Sequence, residues 1–341
     1  MIELYISWVK GLTKDRETLK YLKNSGIISG IELFNIDDKI EAIKDVGLKV
    51  SCHNPGLGYS SNLTNPDFMN VFEGDQGKRL LKVLRESDAP TVGFHIGFSA
   101  EYFFKMVGFP DIPKKGTLIT DRNRLLERIS KNVVSLEKKI NEELDEKDQK
   151  YVVVETMDYS RGIQIEWGVQ LEDARNNRRE IEETIEKFGM NVGLQHVTDP
   201  SFVKDLLDRA SPQNIKPVGF LFDIGHLFIT ADTKIHERSF FGTIEDYFEE
   251  MLDAVRGKTF QLHLNVPKGN DKEGYADNHG PFIPGDSLGE HILELAKKVA
   301  QRSPYLSTVT LEMEMRKGST LAEHCREMNN QAEYIQKQLY I

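Results

Sequence analysis

The sequence predicts a single (β/α)8 barrel spanning residues 1–341, and three observations predict it. Eight strand-like runs rich in β-branched and aromatic residues recur along the chain, amphipathic helical stretches follow them, and no linker divides the series. Eight such pairs in one uninterrupted chain favour a closed barrel over an open doubly wound sheet. A length of 341 residues, 39% hydrophobic and 29% charged, belongs to a soluble globular protein with a sizeable core.

In chain order the first strand is IELYISWV (2–9), followed by the helix TKDRETLKYLKNSG (13–26). GIELF (30–34) then precedes DDKIEAIKDVG (37–47), and LKVSCH (48–53) precedes NPDFMNVFEG and GKRLLKVLRES (65–74 and 77–87). TVGFHIG (91–97) leads to RNRLLERISKNVVSLEKKINEEL (122–144), and YVVVETM (151–157) to DPSFVKDLLDRA (199–210). The last three strands are VGFLFDIG (218–225), TFQLHLN (259–265) and TVTLEME (308–314); their helices are 244–257, 287–301 and 319–339. Helices stop at Gly26, Gly47 and Gly257, the residue type suited to a left-handed stop, and several start at Asp, Ser or Thr caps. Two connections are long, 98–120 and 156–198, the second with a helical pattern over 171–189. Long loops on that side of a barrel read as lids or substrate walls.

Composition excludes several function classes. Only Cys52 and Cys325 are present, without a CxxC pair, so no disulfide framework or thiolate zinc site is available. A net charge of −10 disfavours a generic polyanion-binding surface, though not a local basic groove. No apolar run approaches the roughly 18–20 residues of a membrane span, and MIELYISWVKG lacks the layout of a secretory signal; the expectation is a cytoplasmic protein without membrane partners. No GxGxxG follows a strand, and neither a P-loop nor a GxSxG elbow occurs.

Barrel chemistry sits at the C-terminal ends of the strands. There the sequence places His53, His95, Glu155, Asp223, His226, His263, Asp277, His279 and Glu312. Taken singly, a strand-end His is most often a structural residue, and the Asp277-Asn278-His279 run in a polar, glycine-rich stretch is weak. A carboxylate closing an apolar strand, as in VVVE and TVTLE, is costly to bury without a cation, a metal or a raised pKa. Nine such side chains at one end of one barrel exceed what independent structural roles explain. Imidazole and carboxylate without thiolate suit Zn²⁺, with Mn or Fe as alternatives, and the set is large enough for two or three divalent ions.

These residues and their surroundings resemble the xylose isomerase-like barrels, and within them the endonuclease IV branch (AP endonuclease family 2). The resemblance is carried by YSSNLTNPD (59–67), GFHIG, VVETM, FDIGH, LHLN, DNH with GDSLG, and TLEME. It implies three zinc ions: one on His53, His95 and Glu155, a second on Asp223, His263 and Glu312 with Glu155 bridging, and a third on His226, Asp277 and His279. It also implies Glu155 and Glu312 as catalytic residues, Tyr59 and Asn62 as substrate contacts, and cleavage of abasic DNA, or of a small phosphate or sugar substrate, by a metal-bound hydroxide in the service of DNA repair. The short acidic loop FNIDDKIEAIKD departs from that branch, which carries a longer basic loop there, and loops 98–120 and 156–198 carry insertions. Two other branches share the barrel. Sugar isomerases and epimerases use fewer histidines, so the His226, Asp277 and His279 trio speaks against them. Multinuclear-iron enzymes that modify cysteine in peptides have a very similar ligand set. A metal-binding barrel without catalytic activity is a further reading. His196 is expected at the surface or lining the site, His236, His291 and His324 at the surface, and Cys52 in the barrel wall.

Overall fold

The computed structural model describes residues 2–34, 40–53, 63–97, 121–159, 196–211, 214–270 and 272–339. The strands β1 (Glu3–Ser7), β2 (Gly30–Leu33), β3 (Lys49–His53), β4 (Thr91–His95), β5 (Tyr151–Glu155), β6 (Gly219–Asp223), β7 (Thr259–Leu264) and β10 (Thr308–Leu311) form a closed barrel of parallel neighbours. β8 (Val266–Asn270) and β9 (Gly274–Gly280) form a separate antiparallel pair that leaves the top of β7. The (β/α)8 expectation therefore holds. Tyr59, Asn62, loop 98–120 and the helical pattern at 171–189 lie outside the described residues.

The helices are α1 (Arg16–Ser25), α2 (Ile40–Lys44), α3 (Phe68–Glu73), α4 (Asp75–Glu86), α5 (Arg122–Glu142), α6 (Pro200–Ala210), α7 (Ile224–His236), α8 (Ile244–Ala254), α9 (Ser287–Arg302) and α10 (Leu321–Leu339). Their apolar stripes bury against the outward residues of the strands, such as Leu4, Ile6, Ile31, Val50, Cys52, Val92, Phe94, Val152, Val154, Leu262 and Leu264, in one continuous core. Among the described residues no helix is long and apolar enough to cross a membrane.

Strand alternation sends the other residues inward. Near the bottom the interior holds an apolar plug of Val153 and Leu221, with Tyr151 packed against it, joined by Phe260 at the irregularity where the pairing of β6 with β7 shifts register. Above it lie Glu32, Ser51 and Gln261, and above them come His53, His95, Glu155, Asp223, His263 and Glu312. The register fixes this layering: His95 pairs with Glu155, Asp223 with His263, and Thr310 with His263.

Three sequence expectations change. The polar, glycine-rich stretch that carries Asp277-Asn278-His279 is regular structure, since Gly274–Gly280 form β9. Strand six does not continue to Gly225, because α7 begins at Ile224 with Asp223 as its cap, the Oδ1 accepting from the His226 amide at 2.7 Å. His324 is 1% exposed, facing inward from α10, and not a surface residue. His236 is exposed, and His196 and His291 are half-buried, as α8 brings Glu245 to 2.9 Å from His291.

Candidate metal centre

All nine strand-end residues predicted as ligands are described, and they converge on one cluster at the barrel mouth. His53 and His95 face each other through Nε2 at 3.0 Å, and Glu155 Oε2 lies 3.0 Å from the first and 3.4 Å from the second. Ligand atoms on one ion at ~2.0–2.1 Å stand about 3.3 Å apart in a tetrahedron. The three edges of this triangle match that spacing.

On the other side of Glu155, Glu155, Asp223 and His263 each offer an atom within 4.8 Å of the others. His263 Nδ1 lies 3.3 Å from Glu312 Oε1 and 3.9 Å from Asp223 Oδ2, which makes it the nitrogen facing the carboxylates. Asp223 is held by its helix-cap bond and by the Asn265 amide at 3.3 and 3.4 Å. Asn265 in turn occupies space that only a glycine at 225 leaves open, since a Cβ there would stand 1.9 Å from Asn265 Oδ1.

The third group is built by the hairpin. From Val266 to Lys268 the pairing advances two residues on β8, but from Gly280 to Ala276 it advances four on β9. Asp277, Asn278 and His279 therefore bow out opposite Pro267, which has no amide hydrogen to pair, and His279 takes a left-handed φ of 41°. The bulge delivers Asp277 Oδ2 to 3.3 Å from His226 Nε2 and Asp277 Oδ1 to 3.0 Å from His279 Nε2. His226 Nδ1 faces the Thr156 carbonyl at 3.1 Å and Glu155 Oε1 at 2.9 Å, so Nε2 is the nitrogen left for a ligand.

Glu155 Oε2, His263 Nδ1, Asp277 Oδ1 and His279 Nε2 are buried and make no hydrogen bond of good geometry despite these short separations. Buried polar atoms aimed at one another without bonding are what a metal site requires of its donors. The residues thus fit divalent ions, and the donor set is nitrogen and oxygen only.

Charges in the cluster are strongly interdependent. Burial pushes the Glu155 carboxyl up, but His53 and His95 beside it hold it well below the usual range. Burial raises Glu312 to about 7 against the pull of His263 and His279. Burial lowers His53 to about 4, whereas His279 overcomes its burial through Glu312 and Asp277 and rises to about 9.

Sequence reasoning missed two buried acids. Glu32 at the end of β2 is fully buried, with Oε2 at 2.7 Å from His263 Nε2. The rule applied to VVVE and TVTLE, a carboxylate closing an apolar strand, finds it in GIEL as well. Asp158, four residues beyond Val154, is also buried, and burial raises it to about 6; its position in a loop gave no signal.

Fold and site together define a (β/α)8 barrel with a His and carboxylate cluster at its mouth. No protein-family model matches the sequence, and no curated protein sequence matches it. Solved structures do. A putative xylose isomerase from Rhodospirillum rubrum is 13% identical, with a TM-score of 0.59 and 99% of each chain covered. D-psicose 3-epimerase from Clostridium cellulolyticum, solved with D-tagatose, is 12% identical, with a TM-score of 0.52, covering 99% of this chain and 98% of that one. A xylose isomerase-like barrel protein from Mycobacterium smegmatis, in complex with magnesium, is 13% identical, with a TM-score of 0.50, covering 99% and 96%. These structures share the (β/α)8 fold of this chain.

Proposed function

We propose that the protein is a metal-dependent isomerase or epimerase of a small polyhydroxylated carbonyl compound, of the sugar class. The observation that carries this reading is the quartet Glu155, Asp223, His263 and Glu312 on the consecutive barrel strands β5, β6, β7 and at the end of β10. A glutamate stands at each end of the quartet, and the two are in opposite electrostatic situations. Pairs of carboxylates pushed apart in this way suit one base and one acid. The neighbours named for epimerisation share this fold across nearly their whole length.

A divalent cation on the quartet would polarise vicinal substrate oxygens and acidify the C–H beside the carbonyl. Glu155 accepts that proton on a carboxylate oxygen, and Glu312 returns a proton to the carbon or oxygen on the other side. Asp223 and His263 hold the geometry. Asp277 and His279 are partly exposed at the mouth, with Asp277 Oδ1 and His279 Nε2 turned inward toward each other.

The sequence expectation of a phosphodiester hydrolase in the endonuclease IV manner is the second reading. The His226, Asp277 and His279 group favours it, because it is a further three-donor seat beyond what an isomerase requires. Elemental analysis of protein purified without chelator, combined with two assays, separates them. The isomerase reading expects exchange of a carbon-bound substrate proton with D2O in a panel of ketoses and aldoses, at about one divalent ion per chain. Three zinc ions per chain with nicking of a duplex carrying one abasic site would overturn it in favour of the hydrolase; iron without either activity would overturn it in favour of peptide modification.

A further inference from the structure

We propose that Glu32 is the positioning residue of the centre: it accepts a hydrogen bond from His263 Nε2 and so fixes the tautomer and angle in which Nδ1 is presented to the metal. The proposal rests on the metal-centre reading above and adds a residue to it.

The argument is an inventory of donors and acceptors. His263 Nδ1 is the nitrogen that faces Glu312 and Asp223. An imidazole that ligates through Nδ1 must carry its hydrogen on Nε2. Two groups stand against Nε2: Glu32 Oε2 at 2.7 Å and the Gln261 side-chain nitrogen at 3.2 Å. The Gln261 amide is oriented by its other contacts, since its oxygen accepts from Thr91 Oγ1 at 3.0 Å and its nitrogen donates to Glu32 Oε1. An amide nitrogen cannot accept a hydrogen, so with Nε2 protonated Glu32 Oε2 is the acceptor of the two.

Glu32 is prepared for that role. Its Oε1 takes the Ser51 hydroxyl at 3.0 Å as well as the Gln261 amide, while its buried Oε2 has no hydrogen-bond partner of good geometry and stands 2.7 Å from His263 Nε2. Thr91, Gln261, Glu32 and Ser51 thus form a polar layer from four strands directly beneath the cluster. Such a buried carboxylate is costly without a fixed partner, and it sits where an aliphatic side chain would ordinarily fill a barrel layer. His226 obtains the same service from a backbone carbonyl. His263 obtains it from a side chain, which can be changed.

The test uses the full chain stripped of metal, titrated with zinc against a chromophoric chelator, with ¹⁵N-histidine NMR on the zinc-loaded form. The wild type is expected to show His263 with a metal-bound Nδ1 and a protonated Nε2. Glu32→Ala is expected to weaken one binding step about 10–100-fold and to lose that NMR signature while keeping its far-UV circular dichroism. Glu32→Gln can turn its carbonyl toward Nε2 and is expected to restore part of the affinity and the signature. Wild-type zinc affinity in Glu32→Ala overturns the proposal. So does a His263 spectrum with Nε2 on the metal, which would make Glu32 a ligand. Should Glu32→Ala fail to fold, a Glu32→Gln protein identical to wild type in both measurements overturns it. A wild type that binds no zinc removes the metal-centre reading itself, and this proposal with it.

Discussion

At the scale of single residues, the cluster's protons set both stability and metal competition. His279 has its ordinary value of 6.5 raised to about 9 in the fold. The folded state therefore binds a proton more tightly than the unfolded one, and the stability this contributes is present below pH 6.5 and lost as pH rises through 9. Glu312, raised from 4.5 to about 7, acts in the same direction over the window from 4.5 to 7. His53, lowered from 6.5 to about 4, acts oppositely there and offsets it. The expected outcome for chelated protein is a melting temperature that falls between pH 6.5 and 9; a flat or rising profile over that window would show that His279 does not hold its proton against Asp277 and Glu312. A second prediction concerns Glu155, whose Oε2 faces both His53 and His95 and whose Oε1 faces His226. Glu155→Gln removes the charge those imidazoles share, so turnover should drop by at least about 10³-fold while circular dichroism stays unchanged, with initial rates as the measurement.

At the scale of elements, the junction from β6 to α7 concentrates the constraints. Asp223 ends the strand, caps the helix and joins the quartet, and Asn265 braces it from just beyond β7. A methyl group at Gly225 would collide with the Asn265 amide, whose surroundings are fully buried. Gly225→Ala is expected to cost about 1–3 kcal/mol in denaturant unfolding and to weaken metal binding by turning Asp223; unchanged stability and affinity would mean that Asn265 can swing aside. Legibility in the sequence follows the same elements. The eight barrel strands and the positions of the nine predicted ligands were readable, because period-2 burial and strand-end carboxylates leave local signals. α7 was not, because Asp223-Ile224-Gly225-His226 continues an apolar strand pattern and only the cap bond reveals the helix. The hairpin was hidden as well: GYADNHG is polar and glycine-bearing, and its pairing with VPKGN is antiparallel contact that propensity does not encode. His324 reads as polar on a helix, and its inward direction depends on how α10 packs against β1 and its neighbours.

At the scale of the whole molecule, the centre draws side chains from β3, β4, β5, β6, β7, α7, β9 and the end of β10, so any ion held there ties together most of the barrel's circumference. Without ions, the buried acids Glu32, Glu155, Asp223 and Glu312 stand close together, and among the described residues their charge faces imidazoles, with neutral hydrogen bonds from Ser51, Gln261, Asn265 and the His226 amide beside them. A ligand that binds only the folded state stabilises it by about 2.7 kcal/mol when present at 100 times its dissociation constant, and each kcal/mol shifts the midpoint of a chain of this size by roughly 2 °C. One occupied seat should therefore raise the melting temperature by about 5 °C over chelated protein, and further occupied seats by more. The gap should also depend on pH in a defined direction. Protons compete with metal for the same nitrogens and oxygens, and His279 with its value near 9 is among the last to release its own, so the loaded and chelated curves should diverge as pH rises from 6 to 9. Thermal melts at three pH values, with zinc or with chelator, measure this. A gap that stays constant or narrows with rising pH would mean that the stabilising ion does not displace protons from this cluster, and would place its seat elsewhere in the molecule.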